Sequence, residues 1–274
     1  MCTVSFHPHR SGYLLAMNRD EKLTRARGLP PARVELGHMT ALFPSEPDGG
    51  TWIGLNERMV SLALINWYSA PQQSSESYLS RGQVIRKGLT ASTQDELHNL
   101  LSELPLEQIK PFRLISIFPK SRQILEWRWS QLKFEAIEFP WGICAWFSSG
   151  FDEPGAQEAR AAVFRQHQQA SGASDPGRVR QLHRSHAPAA GPYSICMHRA
   201  DAATVSYTEI QVTGKRGEMR YLEGSPCMGA AVGISAEGSF SLRQSFRQSL
   251  GQACAEGRVE RIGKMSKPGA GCDS

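Results

Sequence analysis

The sequence predicts an α+β layered domain with mostly antiparallel sheets. Two observations carry this. Short stretches with apolar residues at every second position recur along the chain, several of them joined by tight turns. The elements follow one another as strands, helices, strands, helix and strands again, an order that points to layers of sheet and helix.

Residues 2–7 open the pattern, with Cys2, Val4 and Phe6 on one side and Thr3, Ser5 and His7 on the other. Arg10-Ser11-Gly12 reads as a turn and Tyr13 to Met17 as a second, more buried strand, which makes a β-hairpin. Residues 24–50, rich in Pro, Gly and charge, read as a loop with at most short strands. TWIGLN (51–56) and MVSLALIN (59–66) form a second hairpin around Glu57-Arg58. Residues 80–89 read as a helix with Ser80 as N-cap. Residues 92–104 read as another, with a capping-type start and Leu97, Leu100, Leu101 and Leu104 at helical spacing. RLISIF (113–118) and ILEWRW (124–129) are strands, GICAWFSSG (142–150) is a strand running into a small-residue turn, and 156–168 is helical. The stretch 171–191 reads as loop. YSICMHR (193–199) and ATVSYTEIQV (203–212) read as a strand pair, and EMRYLEG (218–224) as a further strand. After Cys227, Gly, Ala and Ser dominate; residues 228–274 read as a poorly ordered tail with one weak helical stretch at 241–253, leaving 1–227 as a single domain.

The 274 residues suffice for a sizeable core. A formal net charge of +5 without charge blocks argues against a nucleic-acid partner. No apolar run approaches a membrane span, and His7, His9 and Arg10 interrupt any signal-peptide core, so the expected compartment is the cytosol. The six cysteines form no CxxC; they read as free thiols, and no metal site or cofactor is expected. No phosphate-binding glycine loop occurs in a strand-to-helix context.

The chemistry concentrates at the front. Cys2 is small enough for removal of Met1, which would leave a thiol and a free α-amine on one residue. With pKa values of about 8.5 and about 7.7–8.0, the amine can take the thiol proton and later pass it to a leaving amine. The hairpin returns Arg19 and Asp20 towards Cys2. Arg19 would favour the thiolate by Coulomb attraction. Asp20 would hold the α-ammonium or orient Arg19. Asn66, at the end of a buried strand, is the candidate oxyanion donor, with Asn56 as a second.

Met1-Cys2-Thr3, GYLLAMNRDE (12–21), Arg25 and GTWIGLNERMVSLALIN (50–66) resemble the NRDE family, also called the transport and Golgi organisation protein 2 family, named for the residues found here at Asn18-Arg19-Asp20-Glu21. The likeness is strong over residues 1–90 and weaker to about residue 225. The same segments more distantly resemble the choloylglycine hydrolase and penicillin V acylase group of N-terminal nucleophile hydrolases, as does PYSICMHRADAATVSYTEIQ (192–211). The resemblance implies an αββα four-layer sandwich and a thioester-forming amidohydrolase for non-peptide C–N bonds. It assigns Cys2 as nucleophile, Arg19 and Asp20 as its support, with Asn18 beside them, and Asn66 to the oxyanion. Where the hydrolases carry an asparagine after the strand corresponding to GICAWF, this chain has Ser148-Ser149-Gly150. Either serine could donate a hydrogen bond there, less rigidly. Arg199 is the counterpart of a later catalytic arginine, or else a surface residue beside Asp201. The family resemblance also implies a rival of another class, a binding or trafficking protein for haem or lipid and acyl ligands. Haem would need His7, His9 or Cys2 as axial ligand.

The other chemistry-bearing residues read as structural. His7 and His9, two apart on a strand, lack a third ligand and read as exposed or hydrogen-bonded. His183 and His186 read as solvated, Arg160 and Arg165 as a solvated helix face. Trp52, Trp67, Trp141 and Trp146 read as core, and Cys196 as a small buried hydrophobe in a strand.

Overall fold

The computed structural model describes residues 2–71, 78–228 and, as backbone, 235–241. Its strands form two wholly antiparallel sheets. The first has six strands in the order β10-β1-β2-β11-β12-β13: β1 Cys2–His9, β2 Gly12–Lys22, β10 Cys144–Ser148, β11 Ala202–Thr213, β12 Arg216–Glu223 and β13 Ser235–Ser241. The second has seven in chain order: β3 Leu29–Leu36, β4 Met39–Ser45, β5 Ile53–Asn56, β6 Ser61–Asn66, β7 Phe112–Phe118, β8 Gln123–Trp129 and β9 Phe134–Phe139.

The alternation of β1 and β6 decides the layers. In β1 the odd and even sets diverge as the sequence predicts. Tyr13 of β2 faces the second sheet, where its hydroxyl donates to the Met59 carbonyl and lies 2.6 Å from the Ser61 hydroxyl. Trp146 of β10 meets Phe139 of β9 across the same interface, and Arg113 of β7 donates to the Phe147 carbonyl. The outer face of the second sheet is covered by α1 Gly82–Gly88 and α2 Gln94–Ser102: Leu62, Leu64, Phe112 and Leu114 pack with Val84, Ile85, Leu97 and Leu101 in one apolar cluster. The outer face of the first sheet is covered by α3 Glu153–Gln169 and α4 Pro176–His183, through Phe147, Phe164, Leu182 and Ile195, and through Leu14, Ala16, Val179 and Tyr207. The result is a four-layer αββα sandwich, as the resemblance implied.

Several local expectations give way. The stretch read as loop at 24–50 contains the β3–β4 hairpin; β3 tolerates Pro30 and Pro31 because it is an edge strand whose pairing shifts register between Leu29 and Ala32. β9, at Phe134–Phe139, was not read from sequence. The loop at 171–191 contains α4, started by Asp175 accepting from the Arg178 N–H with Pro176 just inside. Residues 193–199 form no strand; among the described residues they make a single bridge, His198 to Ala203, and β11 pairs instead with β2 and β12. Met1–Ser241 forms one compact unit, and β13 falls within the stretch read as tail. Of the helical stretch read at 241–253, Ser241 ends β13 and residues 242–253 lie outside the described residues. No helix among the described residues is long and apolar enough to cross a membrane.

Between these apolar clusters the outer face of the first sheet carries a buried polar set on β1 and β2. Ser5 lies 3.0 Å from His7 Nε2 and 2.8 Å from His183 Nε2. His183 Nδ1 in turn meets Asn18 Oδ1 at 3.0 Å, and Asn18 Nδ2 donates to the His183 and Ile195 carbonyls. His183 is therefore a fully buried tether for α4, contrary to its reading as solvated. His7 is buried and hydrogen-bonded; His9 is half-buried at the strand end, its Nδ1 3.4 Å from the Ser11 hydroxyl. Of the four tryptophans read as core, Trp52 and Trp146 are buried, while Trp67 and Trp141 are half-buried.

Burial pulls both His7 and His183 down to a pKa of about 3, with like-charge neighbours (His167 for His7, then His7 and His167 for His183) adding to it. A free histidine titrates near 6.5. Between those values the unfolded chain binds the extra protons, so this stability is present above about pH 6.5 and is lost as pH falls towards 3. Unfolding free energy is expected to fall by roughly 1–3 kcal/mol per pH unit over that window. Denaturant titrations at stepped pH check this, and His183→Gln should remove about one proton from the slope.

Candidate active site

The β1–β2 register sets Cys2 directly across from Arg19, and the β1–β10 register sets it directly across from Ser148. Directly paired residues point to the same face. Cys2 therefore stands between Arg19 and Ser148 on the inner face, lining a cavity with Glu46, Trp52 and Asn66. It is buried, and its thiol is free. Burial pushes the thiol up and the Asp20 carboxylate adds to this, while the Asp20 backbone N–H and Arg19 pull the other way.

Arg19 does not reach over Cys2 alone. Its guanidinium donates to Glu46 Oε1 at 2.5 Å and stacks 4.5 Å from the Trp52 ring. Arg25 takes the other Glu46 oxygen at 2.6 Å. Glu46, just beyond β4, thus holds both arginines at the rim; within a stretch read as loop, nothing in the local pattern marked it.

Asp20 alternates to the outer face. Thr204 donates to its Oδ1 at 2.6 Å, and Arg160 of α3 lies 3.4 Å from its Oδ2 in an ion pair with both side chains inaccessible to solvent. Oδ2 accepts no hydrogen bond among the described residues. Arg160 also donates to the Thr3 hydroxyl and to the Ser148 and Pro192 carbonyls. It was read as part of a solvated helix face; instead it joins β1, β10 and β2 from beneath. Helical spacing could not show this, because its partners lie on four separate segments.

Asn66 ends β6 and lines the same cavity as Cys2, Arg19 and Asp20, a space of about 310 Å³. Its Nδ2 donates to the Tyr68 hydroxyl at 2.7 Å. Tyr68 packs against Gly150, where a Cβ would come within 3.2 Å of the ring, so the turn after β10 closes against the end of β6. Ser148 is fully buried and its hydroxyl has no hydrogen-bond partner among the described residues. The Ser149 hydroxyl accepts from the Phe151 N–H within the turn.

The structure brings Cys2, Arg19, Asp20 and Asn66 together and sets Ser148 beside Cys2. Three candidates stand elsewhere. Asn18 is committed to α4. Asn56 spends all its polar atoms on the Leu89 and Ala91 carbonyls and the Arg58 and Val60 N–H groups, which brace the β5–β6 turn against α1. Arg199 pairs with Asp201 at 2.8 Å and lies over Phe151, as in the surface alternative.

Comparison with known proteins bears on the family and the fold. Residues 1–138 match the family described as Transport and Golgi organisation 2. The chain belongs to that family. Among solved structures, this family member is similar to penicillin V acylase from Agrobacterium tumefaciens, with 13% identity over 89% of this chain and 87% of that one at a TM-score of 0.51. A variant of conjugated bile acid hydrolase from Clostridium perfringens superposes with 10% identity over 89% and 93% of the two chains at a TM-score of 0.47. No curated protein matches the sequence. The family member thus carries an N-terminal nucleophile hydrolase fold, with residues 18–21 near the end of β2.

Proposed function

We propose that the protein is an amidohydrolase of the N-terminal nucleophile type, acting on a non-peptide C–N bond. The observation that carries this reading is the placement of Cys2 between Arg19 and Ser148, with Asp20 and Asn66 lining the same cavity. Removal of Met1 would put an α-amine on Cys2, within the field of the Asp20 carboxylate that already acts on the thiol. The 310 Å³ cavity is of the size that takes a small substrate, and its polar and charged lining suits a polar one.

In this reading the unprotonated α-amine takes the Cys2 proton, and the thiolate attacks the substrate carbonyl carbon. Asn66 Nδ2 turns from Tyr68 to the oxyanion, and the Ser148 hydroxyl is free to help. The tetrahedral adduct collapses with loss of the C–N bond, the leaving amine taking the proton from the α-ammonium. The thioester is then attacked by a water that the α-amine deprotonates. A C–O bond forms, the C–S bond breaks, and the acid and the Cys2 thiol are released.

The test begins with the intact mass of protein made in cells, expected to lack Met1. A panel of acyl amides that includes penicillin V and conjugated bile acids, named for the similar structures, should contain one that is turned over. A cysteine-directed electrophile should stop that turnover and map to Cys2. Retained Met1, or labelling of Cys144 or Cys196 with Cys2 untouched, would count against the reading. Asn66→Ala is expected to lower kcat by about 10²–10³ with little change in fold, checked by steady-state kinetics beside circular dichroism.

The Ser148-Ser149 pair at the asparagine position favours a second reading, a family member that binds an acyl ligand or haem without turnover. Saturable binding of such a ligand, unaltered by Cys2→Ser and without product, would support it.

A further inference from the structure

Apart from Cys2, one cluster of nucleophilic and metal-ligating side chains stands out. The strap from Arg184 to Asp201 links α4 to β11. It carries His186, Cys196 and His198, and Cys227 joins them from the segment after β12. The fold brings that segment in: the Gly224 N–H donates to the Val205 carbonyl and the Ser225 hydroxyl to the Thr204 carbonyl. The strap is held on the same strand, since the Thr204 N–H donates to the Met197 carbonyl and the Met197 N–H to the Thr204 hydroxyl.

One potential ligand atom from each residue lies within 4.8 Å of all the others. His198 Nε2 is 3.2 Å from His186 Nε2, 3.6 Å from Cys196 Sγ and 3.4 Å from Cys227 Sγ. These contacts do not add up as hydrogen bonds. A neutral imidazole nitrogen offers either one N–H or one lone pair, so His198 Nε2 can satisfy one of three neighbours. A shared cation satisfies all of them. Around tetrahedral zinc, with Zn–N near 2.0–2.1 Å and Zn–S near 2.3 Å, ligand atoms stand roughly 3.3 Å apart for N–N and roughly 3.6 Å for N–S. The contacts of His198 Nε2 match those edges.

We infer that His186, Cys196, His198 and Cys227 form a tetrahedral Cys2His2 site for a structural zinc ion. Two thiolates and two neutral imidazoles cancel the charge of Zn²⁺, which suits a site in which both cysteines and His198 are partly to fully buried. Binding releases one proton from each thiol and changes no oxidation state. Four protein ligands close the coordination sphere, as in structural sites and unlike catalytic ones. His186 is the exposed ligand and gives the ion a way in. The supports lie close by: the Cys196 N–H donates to the Ser185 carbonyl, and the Ser194 hydroxyl donates to the Cys196 carbonyl. The site would pin the strap to β11 at Thr204, the residue that donates to Asp20. Its existence does not depend on Cys2 being catalytic.

The experiment is metal analysis of the full chain, purified under reducing conditions without chelator. About one zinc per chain is expected, and less than about a tenth of that in the C196S/C227S double variant. Cobalt added to apoprotein should give the intense visible bands of a tetrahedral site together with thiolate-to-metal charge transfer. Because buried Cys196 could matter for folding, the exposed ligand supplies a second variant. His186→Asn should keep the circular dichroism of the wild type and weaken zinc binding at least about tenfold in a chelator competition. Folded, reduced wild type that takes up neither metal would overturn the proposal. So would His186→Asn binding with wild-type affinity, or recovery of Cys196 and Cys227 as a disulfide with each other.

Discussion

Cys2→Ala is expected to abolish turnover of any amide the protein hydrolyses, a loss of at least about 10³ in kcat/KM, because it removes the atom that forms the acyl-enzyme. The variant should fold normally: the thiol makes few demands on its surroundings, and a buried Cys→Ala change removes one small group. Cys2→Ser separates roles further. It keeps an α-amine and a hydroxyl in the same place, so residual activity measures how much the sulfur itself contributes. In the wild type, burial disfavours the thiolate, so Cys2 acting as the proposed nucleophile would depend on its proton acceptor. With an α-amine near pH 7.7–8.0 in that role, kcat/KM should rise with pH to about 8. A rate independent of pH between about 6 and 9, or a Cys2→Ala enzyme within tenfold of wild type, would remove the basis of the amidohydrolase reading.

Arg160→Met is expected to cost the most stability of any single change, about 3–5 kcal/mol. The side chain is inaccessible, it faces an equally inaccessible Asp20, and its guanidinium also serves Thr3, Ser148 and Pro192. Methionine fills much of the volume but leaves the Asp20 carboxylate buried without its countercharge. In a chain of this size the melting temperature should fall by roughly 10 °C. Asp20→Asn in the same background should recover part of the loss, because the uncompensated charge is then gone; a double-mutant cycle by denaturant unfolding reads the coupling. A loss under about 1 kcal/mol would mean that water reaches the pair and screens it.

These two residues show where the sequence was legible. Cys2 was found because its argument is local. A turn at residues 10–12 forces the far end of the second strand back beside the start of the first, and antiparallel pairing then sets Arg19 opposite Cys2. Asn66 was legible for a similar reason, since the buried β5–β6 hairpin ends there. Arg160 was misread because its spacing matched an exposed helix face, while the part of the sheet beneath it carries buried polar groups. Thr3, Ser5 and His7 are buried under α3 and α4 although their side of β1 looks solvent-facing. The proline pair in β3 and the short α4 were missed because propensity speaks against both, while edge position and Asp175 capping rescue them. The residues of the proposed metal site have no regular spacing, since a strap and a strand end meet only after the sheet has formed.

By itself the sequence determined the layered α+β class, the two buried hairpins and the meeting of sulfur, guanidinium and carboxylate at the chain start. Each of these follows from alternation and turns within a few dozen residues. Only the tertiary structure decided that Ser148 is the other neighbour of Cys2, that Glu46 holds Arg19, that Arg160 lies under Asp20, and that His186, Cys196, His198 and Cys227 converge. Those partners are brought together by sheet order and helix docking, where burial free energy summed over the whole chain outweighs the local preferences a sequence displays.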